Sequence, residues 1–175
     1  MKKTILFLGI IVLFASCTKI IDQLTTFQFK RDTTFTLPGS STLGIPILLN
    51  TPEVETSYET EFANNNTSTD NVEYVKLKEM TLQVTNPAGA NFNFLKSIEF
   101  SISAAGLTDK VIASKNDIQN DNVQELSLDV SDEDLKPYLT KDKYKLKVSA
   151  VTDEIIPQDY DIKISTTFEV KGKVN

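Results

Sequence analysis

The sequence predicts an all-β protein, folded as a single antiparallel β-sandwich of about eight strands with one short helical turn. Three observations support this fold class. Apolar residues recur at every second position in several separate stretches, which is the period of a half-buried strand. Turn-forming residues separate these stretches, and a helix start is evident at one place. Residues 27–175 are expected to hold the sandwich, a length that suits one domain with a hydrophobic core.

The first strands are predicted between residues 27 and 49. The apolar residues of the first stretch occupy odd positions, on one face of a strand or hairpin: Phe27, Phe29, Phe35 and Leu37. A turn is expected at residues 37–40. Residues 43–49 are apolar on both faces. Pro46 lies within them and cannot donate to a neighbouring strand, so we expect an edge strand or the start of one.

Residues 53–62 fit two structures. Val54, Tyr58 and Phe62 have the spacing of a helix face. Threonines at positions 56 and 60 and acids at alternate positions fit a strand better, and we therefore predict a strand. A polar loop is expected over residues 64–71.

The longest apolar pattern changes parity, which predicts a β-bulge. The residues expected to face inward occupy odd positions at first and even positions afterwards: Val75, Leu77, Met80, Leu82 and Val84. One extra residue near Lys78 and Glu79 would keep both groups on the buried face. A turn is expected at residues 86–89. Further strands are predicted at residues 98–102, 110–114, 126–130, 144–150 and 160–170.

The helical turn is predicted to begin at Ser131. Ser131 can cap a helix, and Asp134 stands where a capping-box acid belongs. Pro137 prevents a long helix, so one or two turns with Leu135 and Leu139 pointing inward are expected.

One segment adds a resemblance to a known fold family. The stretch Leu82-Gln-Val-Thr-Asn-Pro87, followed by a hairpin-like pair of strands, resembles the immunoglobulin-like domains of the late-embryogenesis-abundant type. The resemblance implies an immunoglobulin-like arrangement of the sandwich.

The first 16 residues are predicted to be a signal peptide. Lys2 and Lys3 precede an apolar run that is too short to span a bilayer. Residues 14–17, Phe-Ala-Ser-Cys, resemble the lipobox of bacterial lipoproteins, which implies that Cys17 becomes the lipidated first residue of the mature chain. Residues 17–26 would then be a lipidated tether. The alternative is an ordinary secretory peptide that leaves Cys17 as a free thiol, which is unusual in a secreted protein.

The mature chain resembles small outer-membrane lipoproteins of Bacteroidota. Lys19 and Asp22 resemble the lysine-and-acid signal that directs such lipoproteins to the cell surface. The resemblance implies a place in the bacterial cell envelope, at the outer membrane, on either its periplasmic or its outer face. Residues 32–34, Asp-Thr-Thr, also resemble the short O-glycosylation sequence of Bacteroidota, which makes Thr33 a candidate glycosylation site. An outward-facing strand threonine explains the same residues.

Composition excludes several classes of function. The chain contains no histidine, no tryptophan and one cysteine, so the usual ligands of zinc, haem and iron–sulfur clusters and the usual catalytic triads are missing. Removal of residues 1–16 takes away two lysines and no acid, which moves the net charge from −6 to −8. An acidic surface argues against binding of nucleic acid. We expect no metal site, no cofactor and no enzyme activity.

Two stretches offer oxygen ligands for a metal ion, residues 116–122 and the acids at 132–134, and the predicted helix start already accounts for the second. The side-chain oxygens of the first stretch belong to Asn116, Asp117, Asn120, Asp121 and Asn122. This first stretch lacks the spacing and the glycine of an EF-hand, so a solvated loop is the preferred interpretation.

The expected function is therefore a membrane-anchored lipoprotein with a non-catalytic domain. Its role would be structural or the binding of another envelope protein. The alternative is a surface-exposed carbohydrate-binding or adhesion module that uses its five tyrosines, although each of these lies in or beside an apolar pattern.

Overall fold

The computed structural model describes residues 26–173, which form two antiparallel sheets packed face to face. The strands are β1 (Thr26–Leu37), β2 (Ile47–Asn50), β3 (Val54–Glu55), β4 (Val72–Asn86), β5 (Leu95–Ala104), β6 (Lys110–Lys115), β7 (Glu125–Ser127), β8 (Asp129–Val130), β9 (Lys143–Thr152) and β10 (Tyr160–Gly172). Two short helices, α1 (Tyr58–Asn64) and α2 (Lys136–Leu139), and a 3-10 turn (Thr69–Asn71) complete the fold. The predicted signal peptide, Cys17 and the tether up to residue 25 lie outside the described residues.

The prediction of an all-β antiparallel sandwich is confirmed. One sheet has the strand order β1-β10-β4-β7. The other has the order β2-β9-β5-β6-β8, and β3 continues the edge beside β9. The edge position that Pro46 predicted for residues 43–49 is also confirmed, because β2 begins directly after that proline and lies at the edge of its sheet.

The strand order is not the predicted immunoglobulin-like one. An immunoglobulin sandwich places its first two strands side by side in one sheet. Here β1 pairs with β10 instead. We count β2 and β3 as one strand, and β7 and β8 as one strand that belongs to the first sheet through the pairing of β7 with β4. Consecutive strands then lie in opposite sheets except at the β5–β6 hairpin. Two Greek keys combined in this way form a jelly roll.

Alternating side chains fill the space between the sheets. Phe35 of the first sheet meets Phe100 of the second edge to face, with ring centroids 6.0 Å apart. Phe29 stacks on Phe168 at 5.2 Å. The largest fully buried side chains are Phe62, Phe92, Phe100, Phe168, Leu37, Met80, Leu82, Leu95, Ile98, Ile102, Ile112 and Leu135. Burial of each such side chain contributes about 1.5–3 kcal/mol relative to exposure.

The predicted β-bulge is confirmed in β4. Thr167 of β10 pairs with Glu79 and Phe168 pairs with Leu77, so Lys78 has no partner in the register. Lys78 and Glu79 are both exposed. The extra residue therefore lets Leu77 and Met80 face the core from one continuous strand.

The strand predicted over residues 53–62 is largely wrong. Only Val54 and Glu55 are in a strand, and α1 begins at Tyr58. The helical spacing prevails because Phe62 is buried and its ring lies 5.7 Å from the Tyr58 ring and 6.2 Å from the Phe27 ring.

The second helix begins later than predicted. Its first residue is Lys136, its N-cap is Leu135, and Pro137 lies in the first turn, where proline is tolerated. Ser131 is therefore not the cap. Leu135 and Leu139 are buried, as predicted.

Deletion of Lys78 tests the bulge. Residues 79–86 would shift by one position, and Met80 and Leu82 would point to solvent. We expect a loss of at least about 5 kcal/mol in the free energy of unfolding, equivalent to two large-to-small core substitutions. The control Lys78→Ala should change it by less than about 0.5 kcal/mol. Equal urea midpoints for the two variants, measured by circular dichroism, would contradict the assigned register.

Candidate functional site

Two modification sites are predicted, Cys17 and Thr33, and Thr33 is the one that lies among the described residues. It lies on β1 opposite Ile164 and is half-buried on the same face as Phe29 and Phe35. The outward orientation considered from the sequence is therefore wrong. The exposed threonines of β1 are the even-numbered Thr34 and Thr36. Glycosylation of Thr33 stays a prediction.

Four loops meet at one end of the sandwich, which we call the loop end: residues 38–46, 87–94, 116–124 and 153–159. The first and last loops are joined by reciprocal backbone hydrogen bonds between Ser40 and Ile156, both 2.9 Å. The second and third are joined by the Phe92 N–H, which donates to the Val123 carbonyl at 3.0 Å. The Asn120 amide donates to Glu154 at 3.0 Å and connects the third loop to the fourth.

The amides of the loop at residues 116–122 bind other loop residues. The Asn122 N–H donates to the side-chain oxygen of Asn93, and the Asn93 amide donates back to Asn122, both at 2.9 Å. Asp117 and Asn122 adopt positive φ, which asparagine and aspartate tolerate better than most residues. Within residues 26–173, no group of three or more acids is arranged to hold a metal ion. These hydrogen bonds account for much of the composition of the loop.

All charged side chains in the loops of the loop end are acidic, and they lie in the third and fourth loops. The four loops contain no lysine or arginine and five acids: Asp117, Asp121, Asp153, Glu154 and Asp159. A single-sign surface of this kind repels anions and attracts cationic groups.

Exposed aliphatic side chains collect on the same end. Leu43, Ile45 and Ile155 are 47%, 59% and 61% exposed, and we call these three residues the apolar tip. Leu48, on the adjoining edge strand β2, is 76% exposed. Single exposed aliphatic residues are common. Here three of them lie on two loops that are joined by hydrogen bonds, and the fourth lies on the edge strand that follows one of these loops.

The opposite end of the sandwich is closed by residues 131–135, which we call the strap. The Ser131 N–H donates to the Ile112 carbonyl of β6 at 2.9 Å. The Leu135 N–H donates to the Val75 carbonyl of β4 at 2.7 Å. Because β4 and β6 belong to different sheets, the strap ties the two sheets together.

Each acid of the strap has a partner. Asp132 pairs with Lys76 at 2.8 Å and Glu133 with Lys110 at 2.6 Å. Asp134 accepts the Val75 N–H at 3.1 Å and the Lys136 N–H at 3.0 Å. The hydrogen bond from Lys76 holds the pKa of Asp132 below its usual value, and the hydrogen bond to Glu133 raises the pKa of Lys110.

A groove of about 640 Å³ lies beside the first residues of β9. It contains Lys141, Lys143 and Lys145, but also acids. Lys143 lies 3.8 Å from Glu53 and 3.9 Å from Glu55. The charges within the groove largely balance, so it has little preference for an anionic ligand.

The tyrosines do not form a platform for sugars. In the part of the chain that the structure describes, all five are buried or half-buried. Burial raises the pKa of Tyr144 to about 12, so its phenol stays protonated at physiological pH.

Comparisons with known proteins add little to this geometry. No protein-family model matches the chain, and no curated protein matches it. A chain of the cyanophage Pam1 capsid is 7% identical with a TM-score of 0.39, and the match covers 83% of this chain and 86% of that one. The BFDV capsid protein is 10% identical with a TM-score of 0.39, and the match covers 85% of this chain and 98% of that one. A chain of turnip yellow mosaic virus is 11% identical in sequence with a TM-score of 0.28, and the match covers 85% of this chain and 97% of that one. Nothing about function follows from TM-scores this low.

The helices of residues 26–173 are all too short or too polar to cross a membrane.

Replacement of Asp134 by alanine tests the strap. The Val75 N–H would lose a charged acceptor in a partly buried position, so we expect the free energy of unfolding to fall by about 2–3 kcal/mol. Chemical denaturation measures the change. Asp129→Ala is a control, because Asp129 makes a largely exposed ion pair with Lys115, which is worth about 0–1 kcal/mol. Equal losses in both variants would show that Asp134 does not hold the strap.

The pH dependence of stability provides a second test. Because the pKa of Asp132 is lower in the folded chain, its contribution is present above the unfolded value of about 3.9 and is lost as pH falls through the folded value. Thermal melts of wild type and Asp132→Asn should therefore differ at pH 6 and converge near pH 2. A constant difference across this range would contradict the assigned pair.

Proposed function

We propose that this protein is a lipid-anchored, non-catalytic β-sandwich that binds another protein at the bacterial outer membrane. The observation that carries the binding role is the collection of exposed aliphatic side chains on the loop end and on β2, at Leu43, Ile45, Leu48 and Ile155. The anchor is inferred from the lipobox-like residues that end at Cys17.

The anchor follows from the chemistry of acyl chains. Each buried CH₂ group contributes about 0.8 kcal/mol, so one chain binds a bilayer reversibly and two or more bind it stably. A net charge of −8 on the mature chain opposes attachment to anionic lipid, so the acyl chains would provide the attachment.

The surface favours a protein partner over a glycan. Sugar-binding surfaces tend to present aromatic rings, and the tyrosines of residues 26–173 are turned away from solvent in whole or in part. Protein partners cover exposed aliphatic side chains and sheet edges such as β2, which has no second neighbour among residues 26–173. The carbohydrate-binding alternative lacks a comparable supporting feature.

Few residue types of this chain can act as a general acid or base. Without histidine, the candidate acids and bases are carboxylates, lysines and tyrosines. In the groove beside β9, Lys143 lies 3.8 Å from Glu53 and 3.9 Å from Glu55, so its charge is offset by these acids.

Replacement of Cys17 by serine tests the anchor. Serine cannot form the thioether to lipid, so the variant should leave the membrane fraction or accumulate as unprocessed precursor. Immunoblots of membrane and soluble fractions measure both outcomes. A variant that is processed and fractionates like wild type would contradict the proposal.

A pull-down from detergent-solubilised membranes tests the binding role. The lipidated wild-type protein should retain a distinct protein in near-stoichiometric amount. Leu48→Asp places a charge on the exposed edge and should lower the amount of protein retained. Thr34→Asp, the matched control on β1, should leave that amount unchanged. Retention of glycan without protein would favour the carbohydrate-binding alternative.

A further inference from the structure

We propose that the apolar tip is the contact site, and that it takes a protein surface with an apolar centre and a rim of lysine or arginine. This inference rests on the proposed function and specifies its partner. It is carried by the position of the tip, by the backbone that holds it and by the charges around it.

The tip is held by backbone hydrogen bonds. Ser40 and Ile156 exchange N–H···O bonds of 2.9 Å, and the Gly44 N–H donates to the Thr152 carbonyl at 2.8 Å. These contacts hold the loop that carries Leu43 and Ile45 beside the loop that carries Ile155, so all three side chains belong to two loops joined by hydrogen bonds. Little conformational order would have to be gained on binding.

Negative charge surrounds the tip. Asp153 and Glu154 directly precede Ile155, and Asp159 follows in the same loop. Two of these carboxylates are held in place, because Glu154 accepts from the Asn120 amide at 3.0 Å and Asp159 accepts from the Gly39 N–H at 2.9 Å. No lysine or arginine lies in the four loops of this end. An apolar centre with an acidic rim is complementary to an apolar centre with a basic rim.

The charge also argues against other occupants. A second copy of this chain would bring an equally acidic rim against the first. An anionic lipid surface would be repelled in the same way. A basic, partly apolar protein surface is therefore the occupant that the charges favour.

The tip lies far from the anchor side of the domain. Strand β1 begins at Thr26, nine positions after Cys17, and runs its whole length toward the loop end. Twelve residues of strand span roughly 36 Å. A lipid at Cys17 would thus leave the tip free to meet a partner away from the bilayer surface to which the chain is anchored.

Site-specific photo-crosslinking in native cells tests the assignment. A photoreactive amino acid replaces Ser41, which is exposed and directly follows Ser40, the partner of Ile156, in the full-length lipidated protein. The same amino acid at Thr34, exposed on β1, is the positional control. We expect a protein adduct at Ser41 and not at Thr34, and the cross-linked peptide should contain lysine or arginine beside apolar residues.

Second-site variants test the two parts of the surface. Ile155→Asp and Glu154→Lys should each lower the yield of adduct by about tenfold, since they disrupt the apolar centre and the acidic rim. Val111→Asp is the matched control, because Val111 is 45% exposed on β6, away from the loop end, and it should leave the yield unchanged.

The outcomes separate this inference from the proposed function. An adduct with a protein at Thr34 but not at Ser41, or an adduct at Ser41 that survives Glu154→Lys, would overturn the assignment of the tip and leave protein binding intact. An adduct with lipid or with a second copy of this chain at Ser41 would also overturn it. Absence of a protein adduct at both positions, together with a pull-down that retains no protein, would overturn the proposed function itself.

Discussion

The antiparallel pairing of β1 with β10 is the constraint on which the rest of the structure depends. The two strands pair over twelve residues, from Thr26 opposite Lys171 to Leu37 opposite Tyr160. Strand β10 pairs on its other side with β4, so the first described strand is held against the centre of its sheet. This pairing fixes the direction of β1 and thereby places the start of the domain and the loop end at opposite ends of the sandwich.

The two ends are built differently, and this difference suggests a division of roles. At one end, the strap joins β4 to β6 through backbone hydrogen bonds and paired acids, so its charges are largely neutralised by lysines. At the other end, the loops are joined to each other by backbone and amide hydrogen bonds, and their acids have no lysine or arginine among them. The first end stabilises the fold, whereas the second keeps apolar side chains and negative charge exposed.

Much of the fold could be predicted from local patterns, because a half-buried strand reveals itself by its period. The parity change between Leu77 and Met80 even located the bulge at Lys78. Residues 53–62 satisfied two periods at once, and burial of Phe62 in the tertiary structure decided between them. The order of the strands in each sheet could not be predicted in this way, because alternation identifies strands but not their neighbours. The apolar tip was missed for the same reason, because the loops that carry Leu43 and Ile155 are distant in sequence and are joined only by tertiary hydrogen bonds.

Mass spectrometry of the mature N-terminal peptide, isolated from native membranes, tests the central claim most directly. That claim is that acyl chains on one sulfur hold an acidic β-sandwich which binds a protein and performs no catalysis. The predicted result is a peptide that begins at Cys17 and carries a diacylglyceryl group on its sulfur. A peptide that contains an unmodified Cys17 thiol, or that begins at another residue, would contradict it.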